Sequence, residues 1–165
     1  MNIIYCIDTS SLIELKEKYP QTIFTNLWNN IDELIQKGRI IAPVEVKKEI
    51  EKGDDELKSW VKNKRRNKMF IKPDKFQFEK AKEILSKYSF LAKPDKVDDV
   101  NADPWLISLV IKKVDEEKEI LFKNHYIIVT EESQIRSNRI PTVCKQINIE
   151  CINLIKMFEK EGWKF

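Results

Sequence analysis

Acidic residues follow several hydrophobic runs of this 165-residue chain, either directly or in the helical pattern that comes next. If they converge, carboxylates about 5 Å apart repel each other by about 3 kcal/mol at an effective dielectric constant of about 20. A divalent cation would offset that repulsion, and oxygen-only ligands suit Mg²⁺ or Mn²⁺. Such ions can activate a water molecule and support an in-line displacement at phosphorus. The candidate ligands are Asp8, Glu49, Asp103 and one of Glu131 and Glu132.

The first and third of these acids also have a structural interpretation. Asp8 follows the apolar run 3–7 and could end a strand through an Asx turn with Ser10 or Ser11. Asp103 precedes a proline, which is typical of a helix N-cap followed by proline at the first helical position. The structural and the functional roles are compatible at both positions.

The remaining acids have surface positions as their alternative. Glu49 shares a predicted helix face with Glu45 and has lysines beside it, which is typical of a solvated face. Glu131 and Glu132 could likewise be surface charges, and their spacing does not choose between them. Asp99 lies in a polar segment that predicts a solvated loop, and we keep it as a reserve ligand.

The residues that are scarce in the chain exclude other chemistry. The chain has only three glycines, so neither a P-loop nor a GxGxxG phosphate cradle can be written. His125 is the only histidine, which removes His-rich zinc sites and catalysis by paired histidines. Any catalysis is therefore expected to depend on carboxylates.

Strands and helices alternate along the chain, which predicts how the acids are positioned. The run 3–7 is apolar on both alternations, as expected for a strand covered by helices on both faces. We therefore predict one α/β domain over residues 1–165, a three-layer α/β/α sandwich with a mostly parallel sheet. Ligands bind at the carboxyl ends of strands in such sheets. The predicted strands are 3–7, 39–43, 69–73, 125–132 and an edge strand near Cys151; the predicted helices are 11–19, 24–38, 44–53, 54–68, 76–88, 103–117, a short turn after residue 140 and a terminal helix containing Leu154 and Phe158.

Basic residues are concentrated in two places, although the formal net charge of +3 does not by itself indicate nucleic acid. The stretch 60–72 interleaves lysines and arginines with Trp60 and Phe70, which could bind an RNA backbone. Its alternative is a solvated helix face with Trp60 packed below. The loop after Glu132 provides a second pair. The predicted RNA contacts are Lys62, Lys64, Arg65 and Arg66 in the stretch, and Arg136 and Arg139 in the loop.

The cysteines and the N-terminus bear on localisation. The three cysteines form no CxxC pair and two lie in strand-like runs, which favours reduced, buried thiols and a cytoplasmic protein. The N-terminus has no basic segment before its short apolar run, and no stretch approaches the roughly 20 apolar residues that span a bilayer. We expect neither secretion nor membrane insertion.

Four segments together resemble a known family. "IDTSSLIEL", "APVEVKKEI", "ADPWLIS" and "IIVTEE" are similar in order and spacing to the acidic signatures of the PIN domain family, the PilT N-terminus fold. The resemblance covers nearly the whole chain. The ending "PTVCKQINIECINLIKMFEKEGWKF" also resembles the tail of a subgroup of uncharacterised prokaryotic PIN-like proteins.

The resemblance implies roles for individual residues. It makes Asp8, Glu49 and Asp103 catalytic metal ligands, with Ser10 as a polar neighbour of Asp8. The fourth acid of the family lies two residues after a threonine such as Thr130, which selects Glu132 over Glu131. The chain departs from the family at this position, where aspartate is usual.

The resemblance also implies a function, a metal-dependent endoribonuclease that leaves a 5′-phosphate and a 3′-hydroxyl. Such proteins are commonly toxins, so a cognate antitoxin and a homodimer are the implied partners beside RNA. A catalytically silent PIN-like module that binds RNA or protein is the alternative. A haloacid dehalogenase-type phosphatase is disfavoured because it normally needs D-x-D, and the sequence here is "DTS".

Overall fold

The hydrophobic runs of the sequence form a parallel sheet. The structure is a computed structural model that describes residues 1–53, 55–92 and 101–165. In these residues a sheet of five strands has the spatial order β3-β2-β1-β4-β5, and every neighbouring pair is parallel. The strands are β1 (Ile3–Ile7), β2 (Ile40–Pro43), β3 (Phe70–Ile71), β4 (His125–Val129) and β5 (Glu150–Ile152).

Helices connect the strands, as parallel pairing requires. None of the described helices is long and apolar enough to cross a membrane. The α-helices are α1 (Thr9–Lys18), α2 (Thr25–Gln36), α3 (Val44–Glu51), α4 (Glu56–Lys62), α5 (Lys75–Lys87), α6 (Asp103–Glu116), α7 (Ile140–Gln146) and α8 (Leu154–Glu161), and two 3₁₀ segments cover Lys64–Met69 and Ser89–Ala92.

The sheet separates two hydrophobic cores, which confirms the predicted three-layer α/β/α sandwich. Successive side chains of a strand point to opposite faces. Tyr5 and Ile7 of β1 therefore pack with α1, α2, α3, α4 and α8, whereas Cys6 between them packs with α5, α6 and α7. Burial of β1 on both faces explains why its run is apolar on both alternations.

The parallel topology gives the sheet two chemically distinct edges. Helices that follow a strand begin at its carboxyl end, which we call the carboxyl edge; α1 begins directly after β1, and α3 directly after β2. A chain that enters a parallel strand must first return to the opposite side, which we call the amino edge. The 3₁₀ segment Lys64–Met69 lies on such a return path, immediately before β3.

The structure differs from the predicted elements mainly between residues 54 and 73. The predicted helix 54–68 is divided into α4 and the 3₁₀ segment at Asn63, which has an extended backbone and accepts a hydrogen bond from the N–H of Arg65 at 3.0 Å. Asparagine favours such local bonds over a continuous helix. The strand that follows is limited to Phe70–Ile71.

Candidate functional site

Asp8 lies at the carboxyl edge, where β1 ends and α1 begins. Its side chain is 4% exposed and caps α1 by accepting the N–H of Thr9 at 2.7 Å. Its other oxygen, Oδ2, accepts the hydroxyls of Ser10 at 2.7 Å and Thr130 at 2.9 Å. The structural role of Asp8 is therefore a helix cap and not the Asx turn that was its alternative, and three neutral donors hold the carboxylate in a fixed orientation.

Ser10 and Thr130 connect the ends of the two central strands. Their hydroxyl oxygens lie 3.2 Å apart, and both donate to Asp8. Ser10 Oγ also accepts the N–H of Glu131, and Thr130 Oγ1 accepts the N–H of Glu132. The two residues predicted as supporting groups therefore order the first residues after β4 around Asp8.

Glu49 brings a third element to this edge. Its Oε2 accepts the hydroxyl of Thr9 at 2.5 Å, and its Oε1 accepts the backbone N–H of Ala102 at 2.8 Å. A single carboxylate of α3 therefore joins the N-terminus of α1 to the N-terminus of α6. Glu49 is half-buried and both of its oxygens accept hydrogen bonds. It therefore does not lie on a solvated helix face, which was the alternative interpretation.

Asp103 is the first residue of α6 and is 4% exposed. Its neighbour Ala102 donates to Glu49, just as Thr9, the neighbour of Asp8, does. The carboxylate of Glu49 therefore contacts the residues next to both aspartates. The structure thus places Asp8, Glu49 and Asp103 at the same edge of the sheet, although they come from distant parts of the sequence.

The two acids after β4 point to different helices. Glu132 Oε2 accepts the N–H of Ile140 at 2.8 Å, at the start of α7. Glu131 Oε1 accepts the N–H of Leu154 at 2.8 Å, at the start of α8, and burial raises the pKa of this carboxyl. Glu132 therefore anchors the loop that carries the predicted arginines. Asp99, the reserve ligand, lies outside the described residues.

Sequence reasoning missed two residues at this edge, Thr9 and Glu45. Thr9 bridges Asp8 and Glu49 through its N–H and its hydroxyl. Glu45 is 5% exposed, and its Oε2 has no hydrogen-bond partner within the described part of the chain. Burial raises the pKa of Glu45. The helical spacing of Glu45 and Glu49 was a signal, but it was interpreted as a surface face.

The donor set fits a hard divalent cation. No lysine or arginine of the described residues forms an ion pair with Asp8, Glu45 or Glu49. No group of three or more acids, histidines or cysteines among these residues is arranged to hold a metal ion. Mg²⁺, however, retains several waters and is often held by one or two carboxylates. The oxygen-only donors and the unpartnered oxygen of Glu45 agree with such a site.

The loop after β4 places two arginines on the same side of the sheet. Arg136 and Arg139 line a surface cavity of about 390 Å³ together with Ser137 and Asn138. The loop that lines this cavity begins after the residues that Ser10 and Thr130 bind. It ends at Ile140, whose N–H donates to Glu132. The loop that carries both arginines therefore begins at the carboxyl edge.

The other basic stretch lies elsewhere. Gln36, at the end of α2, donates to the carbonyl of Arg65 at 2.8 Å and accepts from Lys68. Because α2 ends just before β2, this contact places the stretch toward the amino edge. Lys62, Lys64 and Arg65 are exposed there, away from the acids.

Arg66 requires a correction. Its guanidinium donates to both oxygens of Asp32, at 2.8 and 2.6 Å, and lies 4.4 Å from the centre of the Trp60 ring. The side chain is buried, with 8% exposure. We therefore assign Arg66 to the fold and not to RNA binding, because its donors and its ring contact are already used within the protein.

The fold and the site define an α/β protein with buried and half-buried carboxylates at the carboxyl ends of parallel strands. Residues 5–165 match the family described as Domain of unknown function (DUF4411), and the chain belongs to that family. A search of curated proteins found no significant match.

Proposed function

We propose that this protein is a metal-dependent endoribonuclease of the PIN type. The observation that carries the proposal is the position of Glu49, which contacts the neighbours of Asp8 and Asp103 at once. Three acids from separate elements meet at the edge where open α/β sheets bind ligands. Repulsion between acids at one edge is offset by a cation, which Mg²⁺ or Mn²⁺ would provide.

Asp8, Glu49 and Asp103 would hold the ion. A divalent cation there would supply Lewis-acid activation of water and of the scissile phosphate. Ser10 and Thr130 keep Asp8 oriented through their hydroxyl bonds, so the carboxylate needs no rearrangement to act as a ligand. Thr9 holds Glu49 in the same way.

The loop carrying Arg136 and Arg139 would bind the RNA backbone. Guanidinium groups match phosphate oxygens in a bidentate geometry and release counterions from nucleic acid. Glu132 supports this function through its bond to Ile140, which sets the end of the loop, in addition to its predicted part in the metal site. Cleavage is expected to leave a 5′-phosphate and a 3′-hydroxyl.

The resemblance to PIN domains extends the proposal to the cell. We expect a cytoplasmic enzyme, a homodimer, and a toxin whose activity a cognate antitoxin protein restrains. The fold agrees with this expectation in its parallel sheet and its acids at strand ends.

A catalytically silent RNA-binding module is the second candidate, and one observation favours it. At the fourth acidic position the chain has Glu132, whose carboxylate accepts the N–H of Ile140 at the start of α7. A side chain used in this way contributes less to a metal site. In this second proposal RNA would bind at the arginine loop without being cut.

Incubation of the purified protein with 5′-labelled RNA in Mg²⁺, Mn²⁺ or EDTA tests the proposal. We expect cleavage in either metal, none in EDTA, and at least about a hundredfold loss in Asp8→Asn, since a charged metal ligand is removed. Asp74→Asn is the matched control, because Asp74 caps α5 as Asp8 caps α1 but lies outside the site. RNA binding without cleavage would support the silent module, and hydrolysis of a small phosphoester alone would support the phosphatase.

A further inference from the structure

Glu45, the second residue of α3, is a buried acid whose hydrogen bonding is incomplete. One carboxylate oxygen interacts with the N–H of the same residue, and Oε2 has no partner within the described residues. An acid in the first turn of a helix is favoured by the helix dipole, but that effect requires no burial. A carboxylate that is only 5% exposed and half-satisfied therefore calls for another partner.

The geometry of α3 places Glu45 and Glu49 on one face of the helix. Residues four apart in a helix lie on the same face, with Cβ atoms about 5–6 Å apart. Cα–Cβ bonds tilt toward the N-terminus of a helix, so Glu49 leans toward the turn that contains Glu45. Glu45 is also one turn nearer to the end of β2, and hence to the carboxyl edge.

The carboxylates on this face form no ion pair with a lysine or an arginine among the described residues. The oxygens of Glu49 accept from a hydroxyl and a backbone N–H, both neutral donors. Lys48 interacts electrostatically with Glu45, but it is exposed and forms no ion pair with it within the described residues. Two neighbouring carboxylates thus share a partly buried face without a bound positive charge.

We propose that Glu45 is a ligand of the cation site, where it shares one divalent ion with Glu49. The inference rests on the proposed function for the nature of the ion, and it adds a ligand that neither the sequence motifs nor the family resemblance assigns. Asp8 differs from Glu45 in that three neutral donors already satisfy it.

Two carboxylates are sufficient for such a site. Mg²⁺ and Mn²⁺ accept oxygen ligands and complete their coordination with water and substrate phosphate. A site of this kind is consistent with the lack of a three-ligand group among the described residues. Glu45 and Glu49 would then supply the fixed ligands, and the neighbouring aspartates would contact the same ion or its waters.

Titration of the protein with Mn²⁺, followed by electron paramagnetic resonance of the free ion, tests the proposal without any RNA. We expect Glu45→Gln to weaken Mn²⁺ binding by at least about tenfold, as loss of a ligand should cost no less than loss of its supporting groups. Glu51→Gln removes the same charge from the same helix on another face and should bind Mn²⁺ as the wild type does. Circular dichroism of each variant verifies that it is folded.

The outcomes separate this inference from the proposed function. If wild-type protein cleaves RNA and folded Glu45→Gln binds Mn²⁺ normally, Glu45 is not a ligand but the nuclease proposal stands. If Glu45→Gln loses Mn²⁺ while wild-type protein binds the ion but cuts no RNA, the ligand is established and the nuclease proposal fails. If wild-type protein binds no Mn²⁺, the cation site itself is refuted.

Discussion

Buried and partly buried acids at the two edges of the sheet have different partners. Toward the amino edge, Glu161 accepts two hydrogen bonds from Arg39, at 2.8 and 2.5 Å, and a third from Tyr5. Asp32 receives the guanidinium of Arg66 in a similar bidentate pair. At the carboxyl edge, Asp8, Glu45 and Glu49 meet only hydroxyls and backbone N–H groups within the described residues.

The difference is the one expected if the acids of the amino edge hold the fold and the acids of the carboxyl edge bind the proposed cation. Removing one member of a buried ion pair leaves an uncompensated charge, so fold-bearing acids are matched by cations in the chain itself. Acids that bind a metal must instead remain free of lysine and arginine, because those cations would compete with it. Within the described part of the chain, Asp8, Glu45 and Glu49 form no ion pair with lysine or arginine, as the proposed cation site requires.

The largest effect that would sharpen the comparison is expected on stability. Arg66→Ala should lower the free energy of unfolding by about 3 kcal/mol, because it leaves Asp32 without its partner and removes the contact with Trp60. Urea unfolding measures the change. Arg65 is adjacent and exposed, so Arg65→Ala is the control. It should change the free energy of unfolding by no more than about 0.5 kcal/mol. If the two variants are equally stable and Arg66→Ala binds RNA more weakly, Arg66 contributes to RNA binding and not to the fold.

A smaller effect should separate the two basic regions. Replacing Arg136 and Arg139 together by alanine should weaken RNA binding roughly tenfold and flatten its dependence on salt by about 0.7 per arginine on a logarithmic scale. Fluorescence anisotropy in EDTA, at several salt concentrations, measures binding without cleavage. The double variant Lys64→Ala and Arg65→Ala removes the same charge from the amino side and should bind RNA nearly as wild type. The reverse result would place the RNA on the other side of the molecule.

The smallest effect is expected at Glu117, whose carboxylate accepts hydrogen bonds from Asn124 and Tyr126 near the start of β4. Burial opposes ionisation of Glu117, but hydrogen bonds from Tyr126 and Asn124 outweigh it and lower its pKa from 4.5. A lowered pKa means that the ionised group stabilises the fold above pH 4.5 and that this contribution is lost as pH falls through the lowered value. Glu117→Gln should therefore cost about 1 kcal/mol at neutral pH.

Melting temperatures of wild type and Glu117→Gln across the acid range test this dependence. The difference between the two proteins should shrink as the pH falls below 4.5. A constant difference at every pH would show that the charge of Glu117 contributes nothing to the amino edge.

The positions of Asp8 and Asp103 could be predicted from the sequence because local patterns determine them. A run that is apolar on both alternations predicts a buried parallel strand, and an acid directly after it must lie at the carboxyl edge. A proline after Asp103 predicts the start of a helix, and α6 begins at that residue. The predicted sandwich followed from the same alternation of elements.

The partners of Glu49 and Arg66 and the burial of Glu45 could not be predicted, since they depend on distant parts of the chain. Glu49 contacts Ala102, 53 residues further along the chain, and this contact shows that its face of α3 packs against another part of the protein. Arg66 meets Asp32, 34 residues earlier. Helical spacing identifies which residues share a face, but tertiary packing decides what covers that face. The basic stretch was separated from the acids for a similar reason, since the return path to β3 carries it toward the amino edge.

The most direct test of the account is the position of Mn²⁺ in crystals of the protein, located by its anomalous scattering. The account predicts a peak at the carboxyl edge within about 2.3 Å of a carboxylate oxygen of Glu49, a distance typical of such ligands. A well-ordered crystal at saturating Mn²⁺ with no peak there, or with peaks only beside acids of the amino edge such as Glu150, would contradict it.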